Sequence, residues 1–333
     1  MLRLILISIL SVPLFCFSQE NISFLDSTYF ETMRTKLNLK IGLDNDIETF
    51  EFDDGDFKYS VRPNTDLRMI IGLNHKFLNL KIGFSPKFLA SDESSKKGST
   101  KVFKIALTMF IKKWVQGFDY SNISGYYIED ISDIDLSLSE KMDYVILPDM
   151  RTIKIRGSTS YKFNDKFSIR SILNQSEIQR KSTGSFIPGL VYEYFKISGK
   201  SSILEIESVN LILTAAYFYT FVLKKNWYFN LSAGPGIGVA FNKLLNEDVD
   251  GKTTSWTNAV IFNLGSHLGF GYNSESFFGG ISYRINATTQ DKNSVVKFDS
   301  VQGIFNIFFG YRFKSPKVVD RSFNWIEGKT PVK

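Results

Sequence analysis

The chain holds one cysteine and two histidines among 333 residues. Cys16 lies inside the opening stretch MLRLILISILSVPLFCFSQE, so cleavage after Ser18 would leave no thiol. Disulfide staples and thiolate metal sites are thereby excluded. Two histidines, His75 and His267, leave little material for acid–base chemistry. After Ser18 no apolar run approaches the ~20 residues of a spanning helix, which excludes a helical membrane protein. Phosphate-loop chemistry is missing too: GPGIG, Gly234 to Gly238, has no following Lys-Ser/Thr and no helix. Around Asp53, Asp54 and Asp56 the EF-hand spacing is absent, so a solvated acidic loop is the better reading than calcium. Basic residues form no exposed stripe, and no nucleic-acid module is recognisable. Neither a cofactor nor a nucleic-acid partner is expected.

What is present begins with a leader. Arg3 supplies a basic start, Leu4 to Phe17 is almost wholly apolar, and Ser18 is small, the pattern of a cleaved secretory signal peptide over residues 1–18. Aromatic residues are abundant, 31 Phe and 15 Tyr, and the net charge is +6. From there on, period two dominates. In NWYFNLSAGPGIGVAF, Trp227, Phe229, Leu231, Ala233, Pro235, Ile237, Val239 and Phe241 alternate with small or polar residues. Leu37 to Leu43, Leu67 to Leu73, Leu78 to Phe84, Phe103 to Met109, Val260 to Phe270 and Phe305 to Phe313 repeat the theme.

A β-sandwich also alternates, but its strands run about 5–6 residues. Here the runs reach ten to sixteen, enough for the roughly 9–11 that cross a membrane when tilted. The polar faces are rich in Gly, Ser and Asn, as a confined interior requires. In hydrocarbon every backbone N–H and C=O must be paired, so such a sheet closes on itself. The expected fold is therefore all-β: a closed antiparallel transmembrane β-barrel over residues 36–313. Short turns such as Asn74-His75-Lys76 and Lys224-Lys225-Asn226 lie on the periplasmic side. Long polar connections lie outside: Asp44 to Thr65, Lys87 to Ser99, Asn122 to Pro148, Asn242 to Trp256 and Ala287 to Ser300. Trp114, Tyr161, Phe163, Tyr219, Phe221 and Trp227 are placed as interfacial girdle residues. Residues 19–35 are read as a periplasmic segment and 314–333 as a polar C-terminal tail. Strand directions clash between Lys166 and Glu207. Either Phe167 to Asn174 and Gly184 to Phe195 do not both cross, which gives twelve strands, or a hidden strand at Ser202 to Glu207 gives fourteen.

Phe163 to Ser168, Asn174 to Glu177, Gln179 to Phe186, Tyr217 to Val222 and Lys224 to Trp227 resemble a domain-of-unknown-function family of Bacteroidetes-type outer-membrane barrels. The resemblance implies location and fold and carries no activity. The run Gly310 to Phe313 resembles the aromatic end that barrel-assembly machinery reads, here followed by further chain.

By alternation Lys36, Lys40, Arg68, Lys81, Lys104, Lys154, Arg156, Arg170, Arg284 and Arg312 point inward, opposed on the strands by Asp119 and Glu193 alone. Asn263, His267 and Asn306 add polar groups to that face. A wet basic lumen attracts anions, so one reading is a narrow anion-favouring pore or solute-binding barrel with a small anionic solute as partner. The rival folds the acidic stretches Asp44 to Asp56 and Glu129 to Asp143 inward to plug a non-conducting barrel of structural or loop-mediated binding role. The third is an outer-membrane lipid-modifying enzyme around His267, with Ser232 or Ser282 from a neighbouring strand as nucleophile. All three share the outer membrane as location, with its lipid and the assembly machinery as partners.

Overall fold

The computed structural model describes residues 28–53, 58–64, 67–89, 94–128, 144–199, 204–248, 251–291 and 297–329. The leader, Asp54, Asp56 and the acidic stretch Glu129 to Asp143 lie outside these residues.

Twelve strands close into one ring. In order they are β2 (Lys36–Asp53), β4 (Arg68–His75), β5 (Leu78–Phe84), β6 (Lys101–Ile111), β7 (Trp114–Ile128) and β8 (Val145–Tyr161), then β10 (Thr183–Ser198), β11 (Leu204–Lys224), β12 (Trp227–Asp248), β13 (Gly251–Asn273), β14 (Phe277–Gln290) and β15 (Lys297–Lys314). Every neighbouring pair is antiparallel, and β15 returns to β2 over Lys297↔Asp53 to Lys314↔Lys36, so no edge is left open. Besides these twelve there are the short β1 (Phe30–Thr32), β3 (Lys58–Arg62) and β9 (Glu177–Gln179). β3 pairs with the upper ends of both β2 and β7, above the short β4 and β5.

Alternation sorts the side chains as hydrocarbon outside and a filled interior demand. Ile237, Val239, Phe241, Phe262, Leu264, Leu268, Ile281, Ile307, Phe309 and Leu213 are exposed on the outer wall. At the end carrying the short turns, Trp114, Tyr161, Phe163 and Phe186 form a chain of ring contacts, and Trp227, Phe270, Tyr272, Phe277 and Phe309 form another. Among them the amphipathic rings of Trp114, Tyr161, Trp227 and Tyr272 are the kind that a membrane interface favours. On the outer wall toward the opposite end, Lys196 and Glu207 pair at 3.1 Å and Lys243 approaches Glu207 at 3.8 Å. Outward charges cannot sit in hydrocarbon, so the apolar band stops below them. The chain is a membrane-spanning barrel, the architecture of an outer-membrane protein.

Several expected loops are strand. β2 runs through the supposed loop from Asp44 as far as Asp53. Likewise β12 continues to Asp248 and β13 starts at Gly251, turning Asn242 to Trp256 into a tall hairpin. The clash between Lys166 and Glu207 resolves because Phe167 to Asn174 is not a strand: it holds the short helix α2 (Arg170–Leu173), whereas Gly184 to Phe195 crosses as β10. A one-turn helix α1 (Ser94–Lys97) lies in the connection before β6. After β15 the chain forms helix α3 (Lys317–Lys329), where a polar tail was expected.

Candidate functional site

The interior is stacked in four layers. Uppermost, at the end of the tall strands, Phe50 and Phe52 of β2, Val61 of β3, Tyr126 of β7, Met150 of β8, Phe195 and Ile197 of β10 and Ile206 of β11 form one apolar cluster. The rings of Phe50 and Phe195 lie 5.4 Å apart, and those of Phe50 and Tyr126 6.2 Å. β2 and β10 are six steps apart in the ring of twelve. Opposite walls therefore touch across the lumen.

Beneath this cap lies a layer of ions. The inward side chains of β2 below Phe50 are Glu48, Asp46 and Asp44, all buried. Arg68 donates to both oxygens of Asp44 at 2.7 Å and reaches Asp46 at 2.8 Å. Lys104 meets Asp46 Oδ2 at 2.5 Å, and Gln302 donates to its other oxygen at 2.8 Å. Lys154 of β8 pairs with Glu48, again spanning the lumen. These carboxylates correct the expectation that Asp119 and Glu193 alone oppose the lumen cations. They arrive on a strand, not by a loop folding in.

The third layer follows one row of register partners across eight of the twelve strands: Lys40, Gly72, Lys81, Ala106, Asp119, Arg156, Glu193 and Asn210. Asn210 donates to Glu193 at 3.2 Å. From the other side Arg284 enters, with His267 opposite it on β13. Arg284 points inward yet is exposed, so it stands in open lumen space, and Asp119 is exposed to that space as well. Among the described residues Arg284 makes no hydrogen bond or ion pair. His267 Nε2 lies 2.9 Å from Asn230 Oδ1. Ser232 is the register partner of His267, but neither it nor Ser282 bonds the imidazole, and among the described residues no Ser-His pair forms there. Asn263 is spent within the wall, donating to Asn286, the Ala287 carbonyl and Thr288, and Asn306 donates to the Leu43 carbonyl at 3.3 Å.

The fourth layer closes the end with the short turns. Between β8 and β10 the chain folds inward as a plug, residues 162–182, containing α2 and β9 and paired through β9 to β1. Phe167, Ile169 and Ile172 pack on Phe110 and Ile187 of the wall. Lumen cations tie it down: Lys40 donates to Gln175 at 3.1 Å, Lys81 to the Leu173 carbonyl at 3.2 Å, and Arg312 to the Gln175 carbonyl. Lys36 instead reaches the rim, donating to the Glu275 carbonyl at 2.9 Å. Arg170 is corrected from a strand position to α2, where it donates to the Lys76 carbonyl at 2.7 Å and the Phe110 carbonyl at 3.3 Å. Burial brings its pKa down to about 10, so it remains a cation at neutral pH. From the stretch read as a periplasmic segment, Phe30 and Met33 are both buried and join the same plug.

A family model described as "Domain of unknown function (DUF4421)" matches residues 25–313. The chain belongs to the DUF4421 family. No curated protein matches this DUF4421 chain. Among solved structures, the outer membrane protease OmpT from Escherichia coli is 10% identical with a TM-score of 0.42, over 89% of this chain and 100% of that one. The translocator domain of the autotransporter NalP from Neisseria meningitidis is 12% identical with a TM-score of 0.36, over 84% and 88%. The TodX monoaromatic hydrocarbon channel, a deltaS2 mutant, is 9% identical with a TM-score of 0.31, over 84% and 90%. Scores this low carry no activity across. Of the stretches that carry the resemblance, Phe163 to Ser168, Asn174 to Glu177 and the first part of Gln179 to Phe186 fall within the plug, whereas Tyr217 to Val222 and Lys224 to Trp227 lie at the turn joining β11 and β12.

Proposed function

We propose that this protein is an outer-membrane barrel that does not conduct, exported on a cleaved leader and folded by the barrel-assembly machinery, with its work done at the extracellular rim. The observation that carries this reading is the contact of Phe50 with Phe195 from opposite walls at 5.4 Å, above an ion layer that also crosses the lumen. The plug supports it from the periplasmic side. The lumen cations read from the sequence as an anion filter serve here as ties: Arg68, Lys104 and Lys154 to carboxylates of β2, Lys40 and Lys81 to the plug.

The rim is the part with surface to offer. Beyond Lys243, β12 runs on to Asp248 and β13 returns from Gly251, a ribbon of roughly 17 Å at ~3.4 Å per residue. At its foot the outer face carries Trp256, exposed, with Lys243 over the ring at 5.8 Å. Planar-bilayer recording of the purified protein decides the matter: the expected result is silence, and a steady ion-selective current from the wild type would overturn the reading.

One observation favours a second reading, a small anion held inside. Arg284 stands in open lumen beside Lys40, Lys81 and Arg156, against Asp119. Calorimetric titration with sulfate, compared between the wild type and Arg284→Gln, separates the two, since indifference of both proteins removes the solute.

A further inference from the structure

Helix α3 follows β15 after Ser315 and Pro316 alone, so it begins where the last strand leaves the membrane. It does not hang free. His75 continues the outward alternation of Ile71 and Leu73, yet it is only 3% exposed, because α3 covers it. Asp320 lies 3.2 Å from His75 Nε2, and the ring of Phe323 meets the imidazole edge-on at 4.8 Å. Phe323 also packs against Phe77 at 5.3 Å, and Glu327 takes a 2.6 Å bond from Lys76. The helix is therefore clamped against the outer flank of the barrel, at the depth of the periplasmic headgroups.

Its two faces differ in charge. Asp320 and Glu327, the acidic residues of the helix, both turn to the barrel. At 100° per residue, Val318, Arg321, Trp325 and Lys329 share the opposite side, with Lys317 at its margin. Val318 is 75% exposed and Trp325 64%, and Lys329 sits over the Trp325 ring at 4.5 Å. An exposed aromatic and an aliphatic residue bordered by three cations, on a helix at bilayer level, form the pattern of an interfacial helix on anionic lipid.

We infer that α3 is a membrane-surface clasp: its Val318/Trp325 face enters the periplasmic leaflet and Lys317, Arg321 and Lys329 bind the phosphodiester groups of anionic phospholipid. Phospholipid is favoured over a soluble periplasmic partner because the helix is fixed on the wall whose neighbouring side chains are apolar and exposed, Ile71 and Leu73 among them.

The test uses the full chain with Cys16→Ser and Ser322→Cys, carrying a fluorophore on the new thiol, in vesicles of phosphatidylglycerol or phosphatidylcholine. Quenching by brominated phosphatidylglycerol is expected, with protection from aqueous iodide. In mixed detergent, the wild type should retain phosphatidylglycerol over phosphatidylcholine, and Lys317→Gln, Arg321→Gln and Lys329→Gln should each lower that preference by roughly fivefold. Heat-modifiable gel mobility reports that each barrel is folded. Iodide quenching without lipid quenching, or a triple variant with undiminished lipid preference, would overturn the proposal. So would capture by purified peptidoglycan that depends on the three cations while lipid contact is absent.

Discussion

Replacing Asp46 by Asn keeps the shape of the side chain and removes one charge from the ion layer. Asp46 is 4% exposed and receives Arg68 at 2.8 Å, Lys104 at 2.5 Å and Gln302 at 2.8 Å. At an effective dielectric near 20, a unit charge ~4 Å away contributes about 4 kcal/mol, and the desolvation of the carboxylate offsets part of it. Arg68 keeps its two-pronged bond to Asp44. Lys104 loses its ion pair, and Asp44 and Asp119 act on it only at longer range. Breaking a buried pair on one side costs about 3–5 kcal/mol, and that is the expected loss for Asp46→Asn. Urea unfolding of the detergent-solubilised barrel should show it as a lower midpoint at unchanged slope. Adding Lys104→Met removes the stranded ammonium and should return about 2 kcal/mol. A single variant within ~0.5 kcal/mol of wild type, or a double variant with purely additive losses, would refute the claim that this layer is a tightly paired solid.

Further expectations follow from the other layers. Phe50→Ala with Phe195→Ala empties the cap across the lumen and, with Arg170→Ala to loosen the plug, should turn a silent barrel into one passing measurable current in a planar bilayer. Arg170→Ala alone leaves the carbonyls of Lys76 and Phe110 without their donor, so proteolysis within residues 162–182 should quicken by about tenfold, in line with ~1.5 kcal/mol for a charged hydrogen bond. Gly234→Ala puts a methyl 2.5 Å from the Ala216 Cα and 2.8 Å from the Ala215 carbonyl oxygen, both on β11, so refolding yield should fall and stability drop by about 1–3 kcal/mol. His267→Ala should lose only the bond to Asn230, about 1 kcal/mol, and leave lipid profiles unchanged.

The wall was legible because lipid imposes a strict rule on it. Every outward residue from Trp227 to Phe241 has to be apolar, and period two then fixes the inner set without knowledge of partners. The upper interior was not legible because no such rule holds above the band. In Asp44 to Asp53 the inward positions are Asp, Asp, Glu, Phe and Phe, so the usual polarity of a strand is scrambled and the stretch reads as an acidic loop. The alternation D-x-D-x-E was nonetheless a signal, since each acid finds a lumen cation. Arg170 was assigned by parity to a strand that is absent: a one-turn helix is too short to show its own period. α3 was missed because its charges make it look like a tail, although Val319, Phe323 and Ile326 recur at helical spacing.

The strands that close the ring are unequal in length, and this bears on the bilayer around them. β5 has seven residues and β4 eight, against 22 in β12 and 23 in β13. Seven residues give roughly 23 Å of contour and under ~19 Å of height once tilted, short of a ~30 Å hydrocarbon slab. Above β4 and β5 the wall is completed by β3, which bridges β2 and β7. On this side the bilayer therefore meets two stacked tiers of strand, where β12 and β13 offer single unbroken staves, and a lipid-driven strain on the wall will be felt first at the seam between the tiers.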